Sequence, residues 1–195
     1  MFNDNKLEIY TVPKYKGNAY IMETVNGYYH TLWTSPLLKN DKVGMLTFSN
    51  KVENSVPASN KKTNLSIVNE VLYNINTTFT DSDFGLLYGM IKRKINQRSL
   101  LILYTNFEHV SSLKRQLPYL QSIAKKHLLI TVFFENTGDL QDIYHKTIAE
   151  KFSYDKRLIV KELEKRGVHA ILTKPNQLSV NVINKYLEFK SKGMI

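Results

Sequence analysis

Cysteine is absent from this sequence, which excludes a disulfide framework, a thiolate metal site, and cysteine nucleophilic or thiol redox chemistry. Long apolar runs are absent too. The strongest, Leu100 to Leu103 and Leu128 to Phe134, have strand length and fall far short of the roughly 18 residues that a membrane span needs. The eight glycines are scattered, so neither a dinucleotide-binding fingerprint nor a P-loop nor a G-x-S-x-G nucleophile elbow can be spelled with them. Met1 to Tyr10 carries Asp4, Lys6 and Glu8 in place of an apolar signal region, so export is not indicated and the cytoplasm is the expected location. Acidic residues are in short supply, 17 against 27 Lys and Arg, which leaves a formal charge of +10.

What remains is the composition of an ordinary globular domain. At 195 residues, 43% of them hydrophobic, the chain is long enough to bury its own core, and a single domain over residues 1–195 is expected. The surplus of cations invites a nucleic-acid reading, because Lys and Arg that neutralise phosphates supply the electrostatic part of such binding. The cations come in small groups, however: Lys61-Lys62, Lys92-Arg93-Lys94, Lys125-Lys126, Lys156-Arg157 and Lys165-Arg166. Several fall near expected helix C-termini, where each offsets the helix dipole by about 0.3–1 kcal/mol. A dedicated nucleic-acid surface is therefore not expected.

Hydrophobic periodicity lays out the fold. Val43 to Phe48 reads as a buried strand, and the polar, alternating Lys51 to Val56, closed by Pro57, reads as a sheet edge. From Asn64, a candidate N-cap, apolar residues recur at helical spacing to Ile75, and Asp81 or Ser82 caps a second helix through Phe84, Leu87, Tyr88 and Ile91. Ser99 to Thr105 is a strand buried on both faces. A helix over about Val110 to Lys126 contains Pro118, which predicts a kink or a division, before the strand Leu128 to Phe134. A long helical region to about Arg166, with a possible break at Phe152-Ser153, ends at Gly167. The strand Val168 to Thr173 and a helix stopping at Gly193 complete the chain.

Apolar strands alternating with helices predict a three-layer, doubly wound α/β fold around a mostly parallel, Rossmann-like sheet with one antiparallel edge strand. In such sheets the ligand crevice lies at the carboxyl ends of the strands. That directs attention to Ser49, Thr105, Asn106, Glu108, Glu135 and Thr173. The five histidines lack zinc-ligand spacing, and Asp142 and His145 one helical turn apart resemble many surface pairs. Glu108-His109 follows a strand end, but no nucleophile accompanies it, so it reads as a solvated loop at a helix start. Tyr28, Tyr29, Trp33 and Phe48 read as core.

Three segments, Asp41 to Ser49, Ser99 to Phe107 and Asn181 to Gly193, together resemble the C-terminal half of a bacterial family, domain-of-unknown-function family fifty-eight. Supporting segments are Asp142 to Phe152 and Arg157 to Gly167. The resemblance covers about Tyr20 to Ile195, leaving residues 1–19 as a degenerate or abbreviated first strand. It implies a von Willebrand factor A-like domain, here almost alone, because the membrane-spanning and β-rich segments of longer members are not matched. It also implies association with a MoxR-type AAA+ ATPase, hence an adaptor role through protein–protein contact, without catalysis or cofactor.

A-like domains often hold Mg²⁺ at a metal-ion-dependent adhesion site, where hard oxygen ligands leave one position for a partner's carboxylate. In the family an Asp-x-Ser-x-Ser turn follows the first, central strand; no such element is found here, since with Asp4 in the Asp position Lys6 and Glu8 would take the two Ser positions, and Leu7 to Val12, which the resemblance makes that strand, is a poor buried strand carrying Glu8. Ser82 matches the later hydroxyl ligand, and Asn106 falls where the family often has Asp. Lysine repels the ion and a neutral amide replaces a charged ligand, so Ser82 and Asn106 are relic positions and no metal site is expected. The expected interaction surface is the rim of Ser82, Asp83, Thr105, Asn106 and Glu108. The alternatives are Mg²⁺-dependent adhesion through a modified site, and a basic nucleic-acid-binding or hydrolase domain. Partner identity and oligomeric state are not legible.

Overall fold

In the computed structural model, residues 18–23, 41–74, 82–107, 109–134, 143–174 and 177–195 are described. Among these residues six strands form one sheet: β1 (Asn18–Glu23), β2 (Lys42–Phe48), β3 (Val52–Ser59), β4 (Leu100–Tyr104), β5 (Leu128–Phe134) and β6 (His169–Thr173). The helices are α1 (Lys62–Tyr73), α2 (Phe84–Lys94), α3 (Val110–Ala124), α4 (Ile143–Lys165) and α5 (Leu178–Ser191). The strand order is β3-β2-β1-β4-β5-β6. All neighbours are parallel except β2 and β3, whose antiparallel ladder shifts register between Val43 and Met45 and again between Thr47 and Phe48.

The centre of the sheet shows why its strands read as unbroken apolar runs. In β4 all five residues are buried, with Leu100, Ile102 and Tyr104 packed into one core and Leu101 and Leu103 into the other. A strand covered on both faces has no position left for a polar side chain. The first core is closed by Val68 of α1 and by Leu178, Val182, Tyr186 and Phe189 of α5. The second is closed by α2 through Leu87 and Ile91, by α3 through Leu113, Leu117 and Leu120, and by α4 through Ile159 and Leu163. Helices on both faces of a mostly parallel sheet make the doubly wound, Rossmann-like α/β arrangement. Among the described residues, no helix is long and apolar enough to cross a membrane.

Several local expectations are corrected. The central strand is Asn18–Glu23, paired Ala19 to Leu100 on one side and Ala19 to Val43 on the other; Leu7 to Val12 lie outside the described residues. Asn64 does not cap α1. Lys61 is the N-cap, and buried Asn64 donates to the carbonyl oxygens of Val43 at 2.7 Å and Pro57 at 3.3 Å, pinning the helix to the β2–β3 pair. The cap of α2 is Asp83, whose carboxylate accepts from the Leu86 N–H at 2.9 Å. Pro118 neither divides nor ends α3, and α4 runs unbroken past Phe152-Ser153.

Gly167 and Gly193 close α4 and α5 in the left-handed region, with φ of 76° and 65°. The Val168 N–H then reaches back to the Leu163 carbonyl at 3.1 Å, turning the chain directly into β6.

Candidate functional site at the carboxyl edge

The strand order reverses between β1 and β4, because β2 and β3 extend the sheet to one side of β1 and β4 to β6 to the other. At such a switch point the flanking loops diverge and leave a crevice at the carboxyl ends of the strands. Glu23 is the last residue of β1, in register with Thr47. Thr105 and Asn106 leave β4 beside it.

Four phenylalanines floor this edge. Phe48 at the end of β2 meets Phe84 edge-on at 5.6 Å between centroids, Phe84 meets Phe107 at 5.4 Å, and Phe107 meets Phe133 of β5 at 5.9 Å. Each such pair contributes about 0.5–1.5 kcal/mol beyond its burial. The Phe84–Phe107 contact brings together the two loops that carry Ser82-Asp83 and Thr105-Asn106. The Asp83 N–H also donates to the Ser49 carbonyl at 2.9 Å, tying the start of α2 to the end of β2.

Of the expected rim residues, Asp83 is exposed and spent as a helix cap, while Ser82 is half-buried. Thr105 is buried and its N–H donates to the Val132 carbonyl at 3.2 Å, extending the β4–β5 ladder by one residue. Asn106 is exposed. Glu108 and Glu135 lie outside the described residues, as do Tyr28, Tyr29, Trp33 and Asp142. Thr173 is buried farther along the edge, where its hydroxyl accepts from Asn181 at 2.8 Å. Ser49 donates to Glu53 at 2.9 Å across the β2–β3 turn.

The residue that sequence reasoning missed is Lys156. In sequence it is one of the small basic groups, beside Arg157, yet Lys156 is 3% exposed while Arg157 is exposed. Its ammonium donates to Asn106 Oδ1 at the end of β4. The signal was present in the helical period: Lys156 stands three residues before Ile159 and seven before Leu163, on the stripe that α4 buries. One residue earlier, Asp155 approaches His109 at 3.8 Å, and His109 itself is the exposed N-cap position of α3. α4 thus lays a buried cation and an acid against the loop that leaves β4.

This arrangement does not fit a divalent ion. Mg²⁺ requires near-octahedral oxygen ligands, but the Asn106 oxygen is taken by an ammonium. A dication about 4 Å from that ammonium would be repelled by roughly 8 kcal/mol at an effective dielectric of about 20. The first ligand motif fares no better at its observed place. With Glu23 closing the central strand, the next positions in sequence at the motif's spacing are Val25 and Gly27, which carry no hydroxyl. Among the described residues, no cluster of three or more His, Asp or Glu is arranged to hold a metal.

No protein-family model matches this chain, and no curated protein does. Among solved structures it is similar to a conserved hypothetical protein, BatB, from Bacteroides thetaiotaomicron, with 13% identity, TM-score 0.48, and 91% of this chain and 98% of that one covered. It is also similar to an aerotolerance-related membrane protein from Bacteroides fragilis, with 12% identity, TM-score 0.45, and 87% and 96% covered. An uncharacterized membrane-spanning protein from Vibrio fischeri gives 11% identity, TM-score 0.28, and 90% and 97% covered. At such values the fold is argued from strand order and packing alone.

Proposed function

We propose that the chain is a non-enzymatic protein-interaction domain of the von Willebrand factor A type that engages its partner through the carboxyl edge without a divalent ion. The sheet order with one antiparallel edge supports the fold type. The single observation that carries the mode of binding is the buried Lys156 ammonium on Asn106. The Asn106 carboxamide oxygen is engaged by that ammonium, where a metal-dependent domain would turn an oxygen ligand to the ion. The resemblance to the family of MoxR-associated domains makes a MoxR-type AAA+ ATPase the partner of first choice.

Two measurements test this reading. Calorimetric titration with Mg²⁺ is expected to be silent for the wild type and for Asn106→Asp, whose new carboxylate pairs with Lys156. Saturable Mg²⁺ binding by the wild type would restore the metal-dependent alternative. Co-elution with a MoxR-type ATPase of the same organism is expected to be lost in Asn106→Tyr, which fills the rim, and kept in Lys51→Ala at the β2–β3 turn. No co-elution, or co-elution indifferent to Asn106→Tyr, would remove the partner assignment.

A further inference from the structure

The basic groups that look scattered in sequence converge in the fold. α2, α3 and α4 all begin at the carboxyl edge and run back antiparallel to the parallel strands, so their C-termini meet at the amino edge of the sheet. The Lys126 ammonium reaches the Ile95 carbonyl just past α2 at 3.3 Å. The Leu128 N–H donates to the Ser99 carbonyl at 3.0 Å, and Val168 leads from α4 into β6. Lys92-Arg93-Lys94, Lys125-Lys126 and Lys165-Arg166 therefore line one edge, and all are exposed.

Helix dipoles do not account for this concentration. The C-termini of α2 to α5 present roughly −2 charge between them, and the acids of this edge, Asp41, Glu162, Glu164 and Glu188, still leave a surplus of several cations, with Asp41 paired to Lys190 at 2.6 Å, Glu162 to Arg166 at 3.1 Å and Glu188 to Lys185 and Lys192 at 2.8 and 2.6 Å. Lys61 makes the point independently. It is exposed at the N-cap of α1, where the dipole opposes a cation, and no acidic residue stands in the first turn. Asn64 anchors that turn to Val43 near the start of β2, so Lys61 extends the same edge to its far side.

We infer that this amino edge is a binding surface for the phosphate backbone of duplex nucleic acid, separate from the carboxyl-edge protein site and independent of it. Six strands about 4.8 Å apart set the basic groups along some 24 Å, comparable to about seven base pairs of duplex at 3.4 Å each. Strand twist of about 20–25° per neighbour turns the successive strand ends, so the basic groups follow a curved line. The large apolar side chains exposed among the described residues, Ile67, Tyr73, Tyr119, Tyr154 and Val180, stand outside these basic helix ends, so the edge offers no aromatic anchor for a lipid interface and no platform for stacking single-stranded bases. Recognition is by charge and is indifferent to sequence.

The test is fluorescence anisotropy with a 20-base-pair duplex, using two unrelated sequences. With about five phosphates neutralised, the affinity should fall roughly 500-fold between 50 and 200 mM salt. Lys125→Gln/Lys165→Gln should reduce the salt slope by nearly two and the affinity at least tenfold. Lys114→Gln/Arg115→Gln removes the same charge from the first half of α3 and should change it less than threefold; Lys92→Gln/Arg93→Gln must repeat the loss. Circular dichroism checks that each variant keeps its fold. Equal losses in the control pair would reduce the effect to net charge and overturn the inference. So would a salt-insensitive response, or sedimentation with phosphatidylserine vesicles by a protein that leaves the duplex unbound.

Discussion

Replacing Lys190 by Met should cost this protein about 3–5 kcal/mol, the cost of stranding a buried charge. Lys190 and Asp41 are 2% and 5% exposed at the side chain, with the ammonium 2.6 Å from Asp41 Oδ2. The same ammonium donates to the Tyr186 hydroxyl at 3.1 Å, and that hydroxyl donates to Asp41 Oδ2. Asp41 Oδ1 is buried with no hydrogen-bond partner among the described residues. Lys190→Met leaves the carboxylate with one phenol donor in a low-dielectric site. The triple variant Asp41→Val/Tyr186→Phe/Lys190→Met removes both charges and the hydroxyl that would otherwise be orphaned. It should lie near wild type or be more stable by about 1–4 kcal/mol. Equilibrium urea unfolding measures both, and at a slope near 2 kcal/mol/M the single variant's midpoint should drop by roughly 2 M. A single-variant cost below about 1 kcal/mol would show that the pair is not desolvated. A triple variant as weak as the single would show that the polar network stabilises in its own right.

Burial, reinforced by neighbouring Lys126, pushes His127 down to about 4. It is 3% exposed, and neither ring nitrogen has a hydrogen-bond partner among the described residues. The unfolded chain takes up a proton near pH 6.5 and the folded one only near pH 4. Stability is therefore whole above 6.5 and is lost as pH falls from there to about 4, by about 3 kcal/mol in all. His127→Phe should erase most of that loss between urea midpoints at pH 7.5 and 4.5, and an unchanged difference would assign the acid limb to other groups. Asp83→Ala should cost about 1 kcal/mol of stability by removing the cap of α2, read as a lower thermal midpoint at unchanged helix content; no shift would mean that the Ser49 carbonyl anchor suffices. Burial, then the Asp41 hydrogen bond and charge, raises Tyr186 above its ordinary value. Stability should accordingly fall as pH rises past 10, where the unfolded phenol ionises first, and Tyr186→Phe should flatten that limb of the curve.

The strands β2, β4 and β5 and the helices around them were legible because apolar runs of strand length and 3.6-residue stripes encode burial directly. β1 was not. Asn18–Glu23 mixes Asn, Tyr, Met and Glu, so nothing in its pattern announces a strand flanked on both sides, and its place is set by pairing with β2 and β4. The caps failed for a related reason: Asn64, Asp81, Ser82 and Asp83 are all cap-forming types, and which one is used depends on tertiary anchors such as Val43 and Ser49. The candidate site was half legible. Strand-end logic found Thr105 and Asn106, whereas Lys156, fifty residues away, reads as surface charge unless it is placed on the buried stripe of α4. The Asp41–Tyr186–Lys190 cluster escaped although both of its segments were singled out, because residue types alone do not tell which lysine is driven inside.

The two edges divide the charge of this domain by the direction of its chain. Parallel strands followed by antiparallel helices send the ends of β1, β2, β4, β5 and β6 and the starts of α2 to α5 to one edge, and the ends of those helices to the other, where the antiparallel β3 also delivers the start of α1. At the carboxyl edge the positive end of α2 is taken by Asp83, while that of α3, with no side-chain cap and no acid in its first turn, follows the loop of Asn106 and favours a negative group there. At the amino edge the helix ends favour cations, and the chain supplies more of them than the dipoles need. An acidic partner segment at one edge and a phosphate track at the other would therefore bind without competing. Neutralising Lys125 and Lys165 should leave ATPase co-elution intact, and Asn106→Tyr should leave duplex binding intact. A loss of both in either variant would mean that one edge serves both partners.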